Sequence, residues 1–476
     1  MKYFFEIYRR LTGGNPLTGD QSFGTGVLFA KILGIGEWGE DMIENIAIII
    51  VIIVFLFLLL TGQYISSLLL TSGILGIYIL GGMSLLSGFL QSEPYTRVAS
   101  YALTTVPLYI LMAQFIMKAG IVKDFYNLVF KLSKGRTGLL SVLTVFLGGF
   151  LGAVSGSGTA TAAALGQVAV PELKKKGYPD HLAGTLAAAA GSLSAIIPPS
   201  VLLIIYGVTA QISIGQLFVA AFIPGILMMV VFSVVTIVYL RKYQDDLTVT
   251  DSEDDDDPSV GRYIIIVIAG TLIVLSIFGG IYTGIFTPTE AGAVGAFISL
   301  IVALVLGKIN KDFIVSSLIE TTKVSVMAMA IVIGASLFGR FISLSMLPRK
   351  VIDMLGPLMD SPILLLVIIM LIYFFLFMFI EGMAVILMTV PMLLPILQAA
   401  SIDLVWFGIL LSVICTLGLI TPPVGISVYA VGGVTKIPIE KLFRTSLVYS
   451  IVAFIVVGGL LIAFPELATW LPQTMK

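Results

Sequence analysis

The chain has 476 residues, 58% of them hydrophobic and only 11% charged, whereas a soluble domain of this length carries about a quarter charged residues. Its net charge of −1 makes no case for nucleic acid, its single cysteine (Cys415) excludes an internal disulfide and a Cys-based metal site, and its single histidine (His181) excludes a His cluster for zinc or haem. Long apolar runs such as Ile46–Leu60, Tyr263–Phe278 and Ile363–Ile380 are continuous instead of alternating, which predicts an all-α polytopic membrane protein and excludes a barrel.

Residues 1–43 read as a polar or interfacial N-terminal extension. Lys2, Arg9 and Arg10 are followed by Gly, Asn, Pro and Thr, not by the apolar core of a cleavable signal. Residues 44–240 hold N-terminal helices and a first repeat. Three early apolar segments (46–60, 65–90 and 101–117) would leave the N-terminus outside, which sits awkwardly with its three cations. Lys131, Lys134 and Arg136 come before the next segment and Lys174, Lys175 and Lys176 come after it, so both its ends belong on the cytoplasmic side. Its roughly 37 residues, at about 1.5 Å each, must therefore enter the bilayer and return. This predicts a re-entrant hairpin over about 138–174, with the small, polar "GAVSGSGTATAAALG" (152–166) at its tip.

A broken helix over about 181–210 follows, interrupted at Ala195–Ser200, where Pro198 and Pro199 remove two amide donors. Residues 241–261 form an acidic soluble linker. Its adjacent aspartates lack the alternation and glycine of an EF-hand, so it reads as a solvated connection. Residues 262–476 form a second repeat. Helices are expected around 262–283, 286–306 and 321–346, then a hairpin over about 362–400 and a broken helix over about 404–434, interrupted at Leu419–Gly425.

The repeat rests on register. Pro198–Pro199 matches Pro422–Pro423 at an offset of 224, which also places Pro171 on Pro395 and Gly158 on Gly382, so that "SGSGTA" (155–160) lies over "FIEGMA" (379–384). Counting helices from the first hairpin brings the chain to the far side before the second, so the halves are inverted, with Lys308 and Lys311 inside.

Paired discontinuities at equivalent places in two repeats point to a transporter binding site. Carbonyls freed at the end of a first half-helix suit Na⁺; amides at the start of a second, near Thr159, Ser200, Met383 and Gly425, suit a carboxylate. Glu381, in the second tip, is an intramembrane carboxylate and a functional candidate by default. Glu290 follows Thr287 and Thr289 as a helix start would, and its reading is structural. Arg340 could bind an anion, though an arginine near an interface more often snorkels, and His181 reads as a loop residue at a helix start. Nothing clusters at catalytic spacing, so an enzyme is not expected.

At these residues the sequence resembles the large membrane subunit of tripartite ATP-independent periplasmic (TRAP) transporters, within the ion transporter superfamily. The motifs are "SGSGTATAAALGQVAVPELKKKGY" (155–178), "IIPPSVLLIIYG" (196–207), "QLFVAAFIPGIL" (216–227), "GIFTPTEAGAVGA" (284–296) and "LGLITPPVGIS" (417–427). The resemblance runs from about residue 45 to the end. It implies inverted repeats working as an elevator in a prokaryotic cytoplasmic (inner) membrane. It implies import of a small organic acid coupled to two or more Na⁺ ions, with no organic cofactor. It implies two partners, an extracytoplasmic solute-binding protein and a small four-helix membrane subunit on a separate chain.

Carried onto matching positions, the resemblance implies one Na⁺ site at Ser155, Gly156 and Ser157 with Ala195, Ile196 and Ile197. Its symmetry mate is Glu381 and Gly382 with Gly418, Leu419 and Ile420. Ser157, Gly158, Thr159, Ser200 and Thr421 would face the substrate. The alternative is a binding-protein-independent Na⁺/dicarboxylate symporter or Na⁺/H⁺ antiporter of the same superfamily.

Overall fold

The structure, a computed structural model, describes residues 40–134, 136–243 and 260–475. Most of the N-terminal extension and of the acidic linker therefore lies outside the described residues. Within them every regular element is helical. In chain order these are α1 (Glu40–Leu60), α2 (Ile65–Val98), α3 (Thr105–Lys118), α4 (Ile121–Leu132), α5 (Thr137–Ser155), α6 (Gly158–Lys175) and α7 (Asp180–Ser192). After the first break come α8 (Val201–Ala210), α9 (Ile214–Ala220), α10 (Phe222–Arg241), α11 (Val260–Val274), α12 (Pro288–Val305), α13 (Lys311–Leu344) and α14 (Leu347–Leu355). The chain ends with α15 (Pro362–Phe379), α16 (Gly382–Ala399), α17 (Leu404–Gly418), α18 (Ile426–Thr435), α19 (Ile439–Ala453) and α20 (Glu466–Gln473). Nine helical stretches among the described residues are long and apolar enough to cross a membrane, and the chain is a multi-pass membrane protein.

The chain divides into two compact units. Among the described residues, the first comprises 40–100, Val326–Asp360 and Leu387–Ala400. Its core joins Ala47 and Val51 of α1 to Ile77 of α2 and to Leu337 and Phe341 of α13. Glycine makes the α2–α13 approach: a Cβ at Gly73 would lie 2.6 Å from the Phe338 backbone nitrogen, and one at Gly76 2.2 Å from the Phe341 ring. Arg340 is committed here: it pairs with buried Glu93 at 2.6 Å, which also holds Arg97 at 3.0 Å, and it lies over the Phe89 ring. Burying one carboxylate with two guanidiniums satisfies its desolvation need, so the anion-binding alternative for Arg340 gives way to a structural ion pair.

The second unit comprises the described residues of Tyr101–Ser325, Ser361–Ile386 and Ser401–Lys476. Its most buried elements are the two half-helices α7 and α17. Every residue from Leu182 to Ser192 and from Trp406 to Gly418 is buried. α7 reaches that state because it is built of small residues. Gly148 and Gly152 of α5 abut Ala190 and Ser194, and Gly191 abuts Ala162 of α6, at ideal-Cβ distances of 2.4–2.8 Å. Such contacts let helices approach without water between them.

The α5–α6 pair returns to where it started, because the Tyr178 hydroxyl just after α6 donates to the carbonyl of Thr137, the first residue of α5. Elsewhere in the unit Thr287 and Glu290 form a reciprocal capping box at the start of α12. Thr289 instead bonds Thr105 at 2.7 Å, and His181 packs edge-on against Tyr243.

Candidate functional site

Each break is made by its proline pair, both joined by cis peptide bonds. In a continuous helix the amides of residues 198 and 199 would bond the carbonyls of Ser194 and Ala195, and proline has no amide to offer. α7 therefore ends at Ser192, a single 3₁₀ turn covers Leu193–Ala195, and the chain is irregular until α8 begins. Ser200 repairs part of the loss. Its hydroxyl donates to the Ala195 carbonyl at 2.8 Å and caps the Leu203 amide at 3.4 Å.

The second break solves the same problem with different groups. The Gly418 carbonyl accepts from the Thr421 amide at 3.2 Å and the Leu419 carbonyl from the Ser427 amide at 3.0 Å. The Thr421 hydroxyl donates to the Leu417 carbonyl at 2.6 Å and is hydrogen-bonded to Ser450 Oγ on α19 at 2.8 Å. Gly425 then turns at φ +48°, where a Cβ would meet the Thr421 carbonyl at 3.0 Å and the Phe443 ring at 2.6 Å. Only glycine fits there.

Between α5 and α6 lies a junction of two residues. Gly156 adopts φ +62° and Ser157 is the N-cap of α6. The Ser155 hydroxyl is hydrogen-bonded to the Thr161 hydroxyl, and Thr161 in turn donates to the Ser157 carbonyl at 2.9 Å. Ser157 itself is exposed, its hydroxyl making only a long 3.4 Å contact to the Ala160 amide. Between α15 and α16 the junction is Ile380–Glu381, and one Glu381 carboxylate oxygen accepts from the Ala384 amide at 3.3 Å. A carboxylate is well placed at a helix N-terminus.

The tips and the breaks meet. A Cβ on Gly158 would lie 3.2 Å from Ser194 Oγ and 2.9 Å from Leu419 of the other break. Gly156 faces Val201, at the start of α8. On the second tip, a Cβ on Gly382 would lie 2.6 Å from Cys415 Sγ on α17 and 2.8 Å from Leu202 on α8. The repeat register holds at the level of contacts: Gly158 faces Gly191 as Gly382 faces Cys415, both 224 apart. Gly152 abuts Ser194 in one copy; in the other Gly418, the 224 equivalent of Ser194, abuts Phe377, one residue beyond the equivalent of Gly152. Each close approach keeps a glycine, but on opposite partners.

The residues expected to hold ligands therefore separate. Ser157 is accessible, and Gly158, Thr159 and Glu381 are half-buried around the tips. Ser200 and Thr421 are buried with their hydroxyls committed to the breaks themselves, so in this structure they shape the backbone instead of facing a substrate. Among the expected carbonyl ligands, those of Ala195, Gly418 and Leu419 each accept one hydrogen bond, while those of Ile196, Ile197 and Ile420 accept none among the described residues.

Two further groups belong to this place. The buried hydroxyls of Ser194 and Ser427 have no hydrogen-bond partner among the described residues. Ser194 lies at the 224 register position of Gly418, the signal by which it could have been picked out. Carbonyls and neutral hydroxyls at a helix break suit a small, singly charged hard cation. No cluster of three His, Cys, Asp or Glu occurs among the described residues to suit a transition metal.

Comparison with known proteins agrees with this architecture. The family model described as "Tripartite ATP-independent periplasmic transporter, DctM component" matches residues 51–467. The sialic acid TRAP transporter large permease protein SiaM of Vibrio cholerae is 30% identical over 386 residues, covering 81% of this chain and 89% of the relative. The C4-dicarboxylate TRAP transporter large permease protein DctM of Pseudomonas aeruginosa is 30% identical, covering 81% and 86%. The 2,3-diketo-L-gulonate TRAP transporter large permease protein YiaN of Escherichia coli is 30% identical, covering 75% and 83%. Among solved structures, the YdaH transporter of Alcanivorax borkumensis shares the fold, with a TM-score of 0.60 over 81% of this chain and 88% of that one, at 14% identity.

Proposed function

The chain belongs to the DctM family, the large permease subunits of TRAP transporters, and on that premise we propose that it imports a small organic acid together with Na⁺. The substrate is handed over by an extracytoplasmic binding protein, and a small four-helix membrane subunit on a separate chain completes the permease. Three relatives are named for sialic acid, C4-dicarboxylates and 2,3-diketo-L-gulonate, all carboxylates, which supports the substrate class.

The observation that carries the reading is the convergence of two tips and two breaks in one unit. Carbonyl ends of α7 and α17 offer partial negative charge to Na⁺. The amide ends of α6, α8, α16 and α18 offer partial positive charge to a carboxylate. Ser194, with its buried and unpartnered hydroxyl, joins Ser155–Ser157 and Ile196–Ile197 around one ion. Glu381 and Ile420 serve the other, with Ser427 beside them. Substrate rests against Ser157–Thr159, its charge balanced by the ions, and the loaded unit moves across the membrane as an elevator.

The test is uptake into proteoliposomes containing both membrane subunits, with the binding protein loaded with candidate acids. Replacing external Na⁺ by choline abolishes uptake if the reading holds. Equal uptake in choline refutes Na⁺ coupling.

A further inference from the structure

Helix α4 is amphipathic and lies at the end of its unit that the loop charges assign to the cytoplasm. Ile121, Asp124, Tyr126 and Val129 are buried, while Lys123 and Lys131, eight residues apart on the other side, are exposed. Three neighbours fix it in place. Arg262 at the start of α11 bonds Asp124 at 2.7 Å, Lys131 lies over the Tyr263 ring, and Lys176 lies over Phe130.

The run that looks most basic in the sequence, Lys174–Lys176, is largely consumed by the protein. Lys174 pairs with Asp180 at 2.9 Å, Lys175 pairs with Glu172 at 2.7 Å, and Lys176 is buried. Around α4 the balance is the reverse. Between residues 118 and 136 stand five cations and one acid, Asp124, whose charge Arg262 already neutralises. Lys123, Lys134 and Arg136 are exposed, and no salt bridge joins them to a carboxylate among the described residues.

We propose that Lys123, Lys134 and Arg136 form a binding face for the phosphates of anionic phospholipids in the cytoplasmic leaflet. Basic clusters beside membrane helices on that side recognise anionic headgroups. Lys123 stands on the docked helix and Lys134 and Arg136 follow it, so the backbone that carries them is set before a lipid arrives. The face is independent of the ion and substrate site.

The experiment is native mass spectrometry of the full chain in micelles holding equimolar dioleoyl-phosphatidylglycerol and dioleoyl-phosphatidylcholine. The wild type retains the anionic lipid in clear excess. Each cation near an anionic surface contributes about fivefold, so Lys123→Gln, Lys134→Gln and Arg136→Gln together bring the ratio down tenfold or more, towards parity. Lys174→Gln, which removes a committed lysine, leaves it unchanged, and an unaltered melting temperature in the triple variant shows that the fold is kept. An unchanged ratio in the triple variant overturns the proposal. Loss of the anionic lipid on adding millimolar inorganic phosphate also overturns it, by pointing to a free-anion site. So does a wild-type ratio near one that rises when Asp254–Asp257 are replaced by Asn, since the chain's own acidic segment would then be the occupant.

Discussion

Gly418→Ala tests whether the close approach of α15 to α17 sets the geometry of the second break. A Cβ there would lie 2.5 Å from the Phe377 Cβ and 2.8 Å from its backbone carbon and oxygen. Non-bonded carbons rest at about 3.5–4.0 Å, so one helix must retreat by at least about 1 Å, and backbone cannot swing aside as a flexible side chain can. Overpacking of this kind costs about 1–3 kcal/mol, with this site at the upper end. The better helix propensity of Ala returns at most about 1 kcal/mol, leaving a net loss of about 2 kcal/mol.

Gly433→Ala is the matched control, since nothing lies within 4 Å of its Cβ position on α18, and it is neutral or stabilising by up to about 1 kcal/mol. Phe377 stands four residues before Glu381, so the same retreat moves the second tip away from the break. Misplacing a functional group by about 1 Å costs up to about a hundredfold. The half-maximal Na⁺ concentration for uptake therefore rises at least tenfold in Gly418→Ala and stays put in Gly433→Ala. Melting curves and Na⁺ titrations of uptake that coincide for the two variants would refute the argument.

Ser157→Ala removes an exposed hydroxyl that barely caps α6, so melting stays close to wild type while half-maximal Na⁺ rises roughly fivefold, the equivalent of about 1 kcal/mol in a titration of uptake. Glu381→Gln keeps an oxygen for the Ala384 amide but removes the charge, so Na⁺ activation weakens more than in Ser157→Ala, with the helix start intact by melting. Arg340→Ala leaves buried Glu93 with Arg97 alone; it lowers stability by about 1–3 kcal/mol in a melting assay, while uptake per folded molecule is unchanged.

What the sequence made legible was the chemistry that acts on its own neighbours. A proline deletes an amide wherever it stands, so Pro198–Pro199 and Pro422–Pro423 pointed to both interruptions, the first of which opens earlier than the expected Ala195, with α7 ending at Ser192. The 224 register that they define proved to be a register of contacts, from Gly158 with Gly191 to Gly382 with Cys415. Glu290 was legible for the same reason, because a capping box closes within three residues. What stayed hidden depends on where a side chain turns once the chain is folded. Ser200 and Thr421 have the same composition of atoms as a ligand. Thr421 is occupied by Ser450 on another helix, whereas Ser200 spends its hydroxyl inside its own break.

Ser194 and Ser427 show the converse. Neither stands out by residue type, although Ser427 closes the motif at 417–427, and their importance lies in a bond not made: a buried hydroxyl without a partner costs about 1–3 kcal/mol, and a membrane protein is a poor place to leave one. The two copies thus agree in backbone and differ in side chains. Each break bonds within itself and keeps one buried hydroxyl unpartnered among the described residues, Ser194 in the first and Ser427 in the second; the second alone is tethered to α19, through Thr421 and Ser450. Identical breaks would bind two ions alike. With Ser157 in one tip and Glu381 in the other, the two proposed ion sites would carry unequal charge, and a titration of uptake would show two Na⁺ affinities in place of one.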